Sequence, residues 1–189
     1  MFEHPWLSAA RMDGKRTRFE ALVLPHLDAA YRFAVSLTRS RPDAEDLVQE
    51  ASLRAYRGIE KFRGTDAKAW LLAIVRNCYF TAWAQEKKRA SIHVPGDGER
   101  QTVDALIEPS ADPAKASLTQ DERRAVGESL AKLSMEHREV LVLREIEDLS
   151  YREIAGVTGL PIGTVMSRLA RARTALREQW VADHGEPQV

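Results

Sequence analysis

The stretch Leu149–Arg177, LSYREIAGVTGLPIGTVMSRLARARTALR, predicts two helices joined by a tight turn. Ser150 and Glu153 have the spacing of a capping box, in which each side chain satisfies a free backbone amide at the start of a helix. Gly159 supplies the positive φ that a tight turn favours, and Pro161 ends the first helix and allows a second to start. This pattern is typical of a helix-turn-helix, whose second helix enters the major groove of DNA.

The second of these helices has one apolar stripe and one cationic face. Its apolar residues recur at helical spacing, as Val165, Leu169, Ala172 and Leu176. On the opposite face we assign base contacts to Met166, Ser167, Ala170 and Arg171, since arginine is well shaped to bind guanine. Flanking phosphate contacts are assigned to Thr164, Arg168 and Arg173. The alternative is a solvated surface helix, but exposed helices usually mix acids with bases, and the last ten residues of the stretch hold four arginines and no acid.

The composition of the 189-residue chain excludes several classes of protein. Lys plus Arg and Asp plus Glu are both 28, so net charge alone predicts no polyanionic partner. Cys78 is the only cysteine, which excludes an internal disulfide and suits a reducing cytosol. No apolar run approaches the ~20 residues of a membrane span, and the N-terminus lacks the pattern of a signal peptide. We therefore expect a soluble, cytoplasmic protein without membrane insertion.

The charges are distributed unevenly along the chain. Between Ser91 and Glu122 there are seven acids and two bases, with several prolines and glycines. Low hydrophobicity with charge of one sign predicts a flexible linker. Apolar residues elsewhere recur at helical spacing, so we predict an all-α fold of two helical domains, 19–90 and 122–180, joined by a flexible acidic linker at 91–121, with tails at 1–18 and 181–189. Helices are expected at 19–37, with Pro25 as a kink or start, at 42–62, 66–90, 122–133, 134–147 and 151–158, and after Pro161.

Motifs for catalysis are missing from the sequence. The five histidines are scattered, no cluster has metal-ligand spacing, and neither a phosphate-binding GxxxxGK[ST] nor a GxSxG motif occurs. We expect no catalytic residues, no metal and no cofactor. From the residues alone, the chain could be an ordinary two-domain helix-turn-helix transcription regulator.

Two stretches resemble the sigma-70 family of RNA polymerase sigma factors. Residues 43–89, DAEDLVQEASLRAYRGIEKFRGTDAKAWLLAIVRNCYFTAWAQEKKR, resemble its region 2, and residues 149–173, LSYREIAGVTGLPIGTVMSRLARAR, resemble its region 4. Two such modules without the intervening third domain are similar to the extracytoplasmic-function (ECF) group. The resemblance implies an initiation factor that binds core RNA polymerase and promoter DNA, reads the −35 element as duplex, and melts and reads the −10 element. It also implies an anti-sigma partner, and we expect a monomer when the protein is free.

The resemblance also implies roles for residues of the N-terminal domain. The residues that it implies bind the polymerase lie on one polar helix face and are Asp46, Gln49, Glu50 and Arg54. The residues that it implies bind the single-stranded −10 DNA are Arg63, Gly64, Thr65, Asp66, Lys68, Arg76, Asn77, Trp83, Lys87, Lys88 and Arg89. A flipped base needs a polar pocket and aromatic or cationic surfaces, and its phosphates need cations. Core packing stays open for Trp83 and is favoured for Trp70, while the acidic linker either enters the polymerase channel or is a simple tether.

Overall fold

The computed structural model describes the backbone of residues 5–90 and 120–185 and the side chains of residues 13–88 and 124–185. The acidic segment therefore lies almost entirely outside the described residues. The described chain is helical and contains no strand, so the all-α prediction is confirmed. Its helices are α1 Pro5–Leu22, α2 Leu27–Thr38, α3 Arg41–Gly58, α4 Ala67–Ala90, α5 Gln120–Lys132, α6 Met135–Leu141, α7 Tyr151–Thr158 and α8 Ile162–His184.

The start of the N-terminal domain differs from the sequence-based expectation. The single helix expected at 19–37 is divided by a 3-10 turn, Leu24–His26, in which Pro25 occupies a starting position that needs no amide hydrogen. α1 also extends back to Pro5, into the segment predicted as a tail. The Phe19 ring packs edge-on against Tyr56 of α3, with centroids 5.3 Å apart. This contact fixes α1 on the domain.

α3 begins and ends at identifiable signals. The Ser40 hydroxyl accepts a hydrogen bond from the Asp43 amide, and a proline lies in the first turn. The helix ends at Gly58, so Phe62, expected as the last residue of its buried stripe, lies in the following turn instead. There the Phe62 ring packs on Trp70 of α4, with centroids 4.7 Å apart. This contact leaves the Phe62 ring half-buried outside the helix.

The two domains share one continuous apolar core. In the N-terminal domain α2, α3 and α4 pack around Phe33 and Leu71, and in the C-terminal domain α6, α7 and α8 pack around Leu143 and Ile154. α2 also contacts α6, and α4 contacts α7. The domains are therefore packed against each other.

The C-terminal domain contains the predicted helix-turn-helix. The reciprocal capping box of Ser150 and Glu153 starts α7, Gly159 ends it at φ 71°, and α8 follows Pro161. These three predictions are confirmed. The helix expected over 134–147 is shorter, because after α6 the chain widens into a π turn, Val142–Ile146, in which the Glu147 amide donates to the Val142 carbonyl. In the described parts of the chain, no helix is long and apolar enough to cross a membrane.

Candidate nucleic-acid interface

The α8 face assigned to base contacts is open to solvent. Val165, Leu169 and Ala172 are buried as the stripe predicts. The four residues assigned to bases, Met166, Ser167, Ala170 and Arg171, are all exposed. The Met166 side chain is 52% exposed, which is unusual for a large apolar residue and leaves it free to contact a thymine methyl. This surface can enter a groove without rearrangement.

The residues assigned to phosphates on α8 are partly held by acids of the same domain. Arg173 forms an ion pair with Glu145 at 2.6 Å, and this hydrogen bond raises the pKa of Arg173. Arg168 lies 3.3 Å from Glu136, with its own side chain mostly buried. Thr164 is partly buried. Both arginine pairs would have to loosen for the cations to contact phosphates.

A cavity lies beside the loop assigned to the −10 element. It has a volume of about 380 Å³ and is lined by Arg54, Gly58, Lys61, Phe62, Trp70, Ile74 and Asn77. The rings of Phe62 and Trp70, inclined at 30° to each other, form an aromatic wall, and the exposed Asn77 adds an amide. Trp70 is partly buried and packs against the core, as the sequence favours, and it also lines this cavity. The geometry combines a stacking surface with a hydrogen-bonding group, as recognition of an unstacked base requires.

The geometry of the loop requires glycine at position 64. Arg63, Gly64 and Thr65 are exposed, and the Asp66 carboxylate accepts a hydrogen bond from the Ala69 amide at the start of α4. A Cβ on Gly64 would lie 2.8 Å from the Phe62 ring. Gly64 thus allows the loop to pass close to the aromatic wall.

The remaining basic candidates of α4 fall into two groups. At its exposed end Trp83 is 48% exposed, which does not support core packing, and Lys87 lies over its ring at 5.2 Å. Lys88 is exposed, whereas the Arg89 side chain lies outside the described residues. Nearer the start of the helix, Lys68 and Arg76 turn toward the C-terminal domain and pair with its acids. The structure therefore does not bring all the predicted −10 residues onto one open surface.

Of the polymerase-binding candidates on α3, Asp46 and Gln49 are exposed, whereas Glu50 and Arg54 are half-buried beside the Leu47 stripe, so the four do not form the one open face that the sequence predicts. Glu50 and Arg54 pair at 2.6 Å one helical turn apart, and this bond raises the pKa of Arg54. Asp46, Glu50 and Arg54 also line a groove of about 520 Å³ between α3 and α4.

Sequence reasoning missed three contributors to these surfaces. Leu53, one turn from Glu50, is 48% exposed and places an apolar side chain on the polar face of α3. Phe62 and Lys61 line the cavity beside the −10 loop. The signal that could have found Phe62 is its position two residues before a glycine that breaks the helical pattern. The described residues contain no group of acids, histidines or cysteines able to hold a metal ion.

An exposed arginine-bearing helix in one domain and an aromatic cavity beside a cationic loop in the other are features suited to a protein that binds DNA at two sites. Comparison with known families agrees: sigma-70 region 2 matches residues 22–89 and sigma-70 region 4 matches residues 123–176. The chain belongs to the sigma-70 family, in its ECF group, as the relatives below establish. The resemblance seen in the sequence is confirmed.

The chain is 34% identical over 172 residues to the ECF RNA polymerase sigma-E factor of Haemophilus influenzae, covering 88% of this chain and 89% of that protein. It is 32% identical over 168 residues to the ECF RNA polymerase sigma factor SigE of Mycolicibacterium smegmatis, covering 88% of this chain but 62% of that longer protein. A solved structure of the sigma factor RpoE in complex with the anti-sigma factor NepR, from Bartonella quintana, superposes with a TM-score of 0.72 at 30% identity, over 88% of this chain and 98% of that chain.

Proposed function

We propose that this chain binds core RNA polymerase and directs it to promoters, where α8 reads the −35 element and the N-terminal domain melts and reads the −10 element. The observation that carries the proposal is the presence of both sigma regions in one chain, each with a suitable DNA surface. The same match to region 2 argues against an ordinary helix-turn-helix regulator. RNA synthesis itself belongs to the polymerase.

At the −35 element α8 enters the major groove with its exposed early residues toward the base edges. Arg171 donates to the O6 and N7 atoms of a guanine, while Met166 and Ala170 make apolar contacts. Arg173 and Arg168 leave their acidic partners and bind phosphates on either side. Specificity therefore depends on the exposed face, and affinity on the flanking cations.

At the −10 element one base leaves the stack and enters the cavity between Phe62, Trp70 and Asn77. The rings hold its π face, and the Asn77 amide hydrogen-bonds to its Watson–Crick edge. Arg63 and Lys61, at the rim, neutralise nearby phosphates. Trp83 stacks on a base or contacts the duplex fork further along α4, where Lys87 and Lys88 add positive charge.

The α3 face and the acidic segment bind different parts of the polymerase. The α3 face with Asp46, Gln49 and Glu50 docks on the clamp helices of the largest subunit, and Leu53 adds an apolar contact at its centre. The acidic segment 91–121, outside the described residues, carries a charge suited to a channel that accepts nucleic acid. Its net negative charge would let it occupy that channel until RNA displaces it.

An anti-sigma factor completes the proposal. The structurally similar RpoE is held by NepR, and the similarity spans 88% of this chain. We infer that an anti-sigma protein likewise binds this chain and blocks its polymerase or DNA surfaces.

Holoenzyme formation tests the proposal. Purified core RNA polymerase is mixed with the wild-type chain, with an Asp46→Ala/Gln49→Ala variant and with a Glu20→Ala control at an exposed position of α1, and each mixture is separated by size. The wild type and control should co-elute with the polymerase, and the double variant should not. A wild-type chain that never co-elutes with a polymerase competent for other sigma factors would rule the proposal out.

A further inference from the structure

α1 lies almost entirely outside the segment that matches sigma-70 region 2, which begins at residue 22. Most of this helix belongs to the segment that the sequence predicts as a tail. In the structure its last turns lie beside the end of α3 and the loop at residues 59–66. The described part of the helix carries three bases, Lys15, Arg16 and Arg18. The contacts of these cations indicate what the helix adds to the domain.

Aromatic and charged contacts hold one face of α1 against α3. The Phe19 ring meets the Tyr56 ring edge-on, with centroids 5.3 Å apart. Lys15 Nζ lies 4.9 Å from the centre of the same Tyr56 ring and 3.5 Å from Glu60 Oε2. Residues three and four positions apart share one face of a helix, so Arg18 lies on the same face as Lys15 and is directed toward the loop.

Arg18 reaches the backbone of this loop. Its Nη2 atom donates to the Phe62 carbonyl oxygen at 2.7 Å. Arg63 Nη1 donates to the same oxygen at 3.1 Å, and it also donates to the Glu60 carbonyl. Within the described residues, neither guanidinium group forms an ion pair with an acid. Two positive charges from different elements therefore meet at one uncharged oxygen.

This pair of arginines has the charge and the donors to bind a phosphate. Like charges close together repel each other, and an anion between them removes the repulsion. Guanidinium groups bind phosphate oxygens through paired, charge-assisted hydrogen bonds. Arg18 is half-buried and held in place by its helix, whereas Arg63 is exposed, so an anion can approach the pair from solvent.

The arginine pair lies beside the cavity that receives a flipped base in the proposed function. Phe62, whose carbonyl oxygen accepts from both arginines, contributes its ring to the wall of that cavity. The exposed Lys61 lines the cavity as well. Only the sugar separates a base from its phosphates, so a base in the cavity brings its backbone close to this peptide. A single strand of DNA is therefore the anion that fits the pair best.

We propose that Arg18 of α1 and Arg63 of the loop together bind one backbone phosphate of the single strand, next to the base held in the cavity. α1 thus adds a DNA contact from outside the region 2 match. The inference rests on the proposed function, because it takes the −10 strand as the ligand. The site needs both elements, so it exists only where α1 packs on the loop.

The test compares two strands that share a backbone but differ in their bases. One is a fluorescent single strand of about 20 nucleotides of random sequence, which exceeds the span of a typical single-strand site, and the other is an abasic strand of the same length. Each is titrated with the full chain in low salt. Arg18→Gln should weaken binding of both strands on the order of tenfold, because a hydrogen bond between charged groups is lost. Trp70→Ala, which removes a base-stacking ring, should weaken only the strand that has bases.

Two further variants of α1 separate the charge from the fold. Arg18→Lys keeps the positive charge and should retain most of the affinity for the abasic strand. Arg16→Gln is the matched control, because Arg16 is exposed and already paired with Glu20 at 2.7 Å. It should bind both strands like the wild type. Circular dichroism checks that each variant is folded.

A double-mutant cycle tests whether the two arginines bind the same phosphate. Arg63→Gln, at an exposed position, should weaken binding of the abasic strand by a factor similar to that of Arg18→Gln. The double variant should lose less than the product of the two single losses, since one phosphate is coupled to both arginines. Its salt slope should fall by about 0.7, the value for one phosphate of a single strand.

The proposal is overturned if Arg18→Gln binds the abasic strand like the wild type, since Arg18 then only positions the loop. Losses that multiply in the double variant would also overturn it, because the arginines would then bind separate phosphates. A wild type that does not bind the abasic strand in low salt has the same consequence. Failure of the proposed function gives a different result, in which Arg18→Gln still weakens binding of the abasic strand but the wild-type chain does not co-elute with core polymerase.

Discussion

The two proposed DNA-binding surfaces of this sigma factor differ in how accessible their side chains are. The α8 face is exposed, and its Ser167 and Arg171 side chains donate to carbonyls of α8 itself. In the N-terminal domain, Lys68 and Arg76 are held by buried acids of the C-terminal domain, although the loop and cavity nearby remain open. In the proposed function, duplex recognition thus uses a surface that is already formed, whereas capture of the single strand requires these cations to be released. The same arginine substitution should therefore have different consequences on the two surfaces.

The largest expected effect is on stability, at Arg76. Arg76→Ala leaves Glu139 buried without its cation, and loss of one partner of a buried pair typically costs about 3–5 kcal/mol. We expect a value near the lower end, because the Arg76 side chain is 19% exposed. Urea unfolding, which gives the free energy of unfolding, measures it.

Arg171→Ala is the matched control on the other surface, and it should change the free energy of unfolding by less than about 0.5 kcal/mol, as is usual for an exposed site. Adding Glu139→Leu to Arg76→Ala should restore much of the lost stability, since an apolar residue needs no cation. Equal stability of the Arg76→Ala and Arg171→Ala proteins would contradict the contrast between the surfaces.

The next effect concerns the cavity. Trp70→Ala removes one ring of the aromatic wall, and loss of a base-stacking side chain costs about 1–3 kcal/mol per base. Promoter opening, followed by permanganate reactivity of unpaired thymines, should fall accordingly, while affinity for −35 duplex stays unchanged. A parallel loss of duplex affinity would show that Trp70 acts through the fold.

On the α8 face, substitution of the base-contacting arginine and of the phosphate-contacting arginine should have different effects on DNA binding. Arg171→Ala should cost roughly 1–3 kcal/mol on the preferred −35 duplex and relax the preference at one base pair. Arg173→Ala should weaken preferred and random duplexes alike and lower the salt slope by about one. Fluorescence anisotropy at several salt concentrations distinguishes these outcomes, and identical losses for both variants on both duplexes would remove the assigned division between base and phosphate contacts.

The smallest effect is a pH dependence at the domain boundary. Burial, followed by the nearby Lys68 charge, lowers the pKa of His26 below its ordinary 6.5, although Asp66 and Glu147 oppose the shift. The unfolded chain then binds more protons than the folded one, so the His26 contribution to stability is complete above pH 6.5 and falls as pH falls through the lowered pKa. Unfolding between pH 7.5 and 5 should be less pH-dependent in His26→Gln, and an unchanged pH profile would exclude this contribution.

Local patterns in the sequence predict much of the fold. Capping at Ser150, the turn at Gly159 and the spacing of Val165 and Leu169 are all set by residues within a few positions of each other, so they could be predicted. The same holds for the exposed arginine face of α8. Periodicity could not predict the end of α3, because Phe62 leaves the helical pattern to meet Trp70.

The contacts between domains could not be predicted for a physical reason. Glu147 looks like an ordinary surface acid, and its burial depends on Arg32 and Lys68, which lie 115 and 79 positions away in the chain. Lys68 and Arg76 likewise look like free cations in the sequence. The aromatic cavity depends in the same way on the close approach of the loop at Gly64 to Phe62.

Run-off transcription shows directly whether this chain directs initiation by RNA polymerase. Purified core RNA polymerase is given genomic fragments with and without the chain, with Asp46→Ala/Gln49→Ala as the inactive variant and Glu20→Ala on α1 as its control. We expect discrete new start sites with the wild type and control, preceded by shared −35 and −10 sequences, and none with the double variant. Binding of the chain to duplex DNA without any new start site would contradict it.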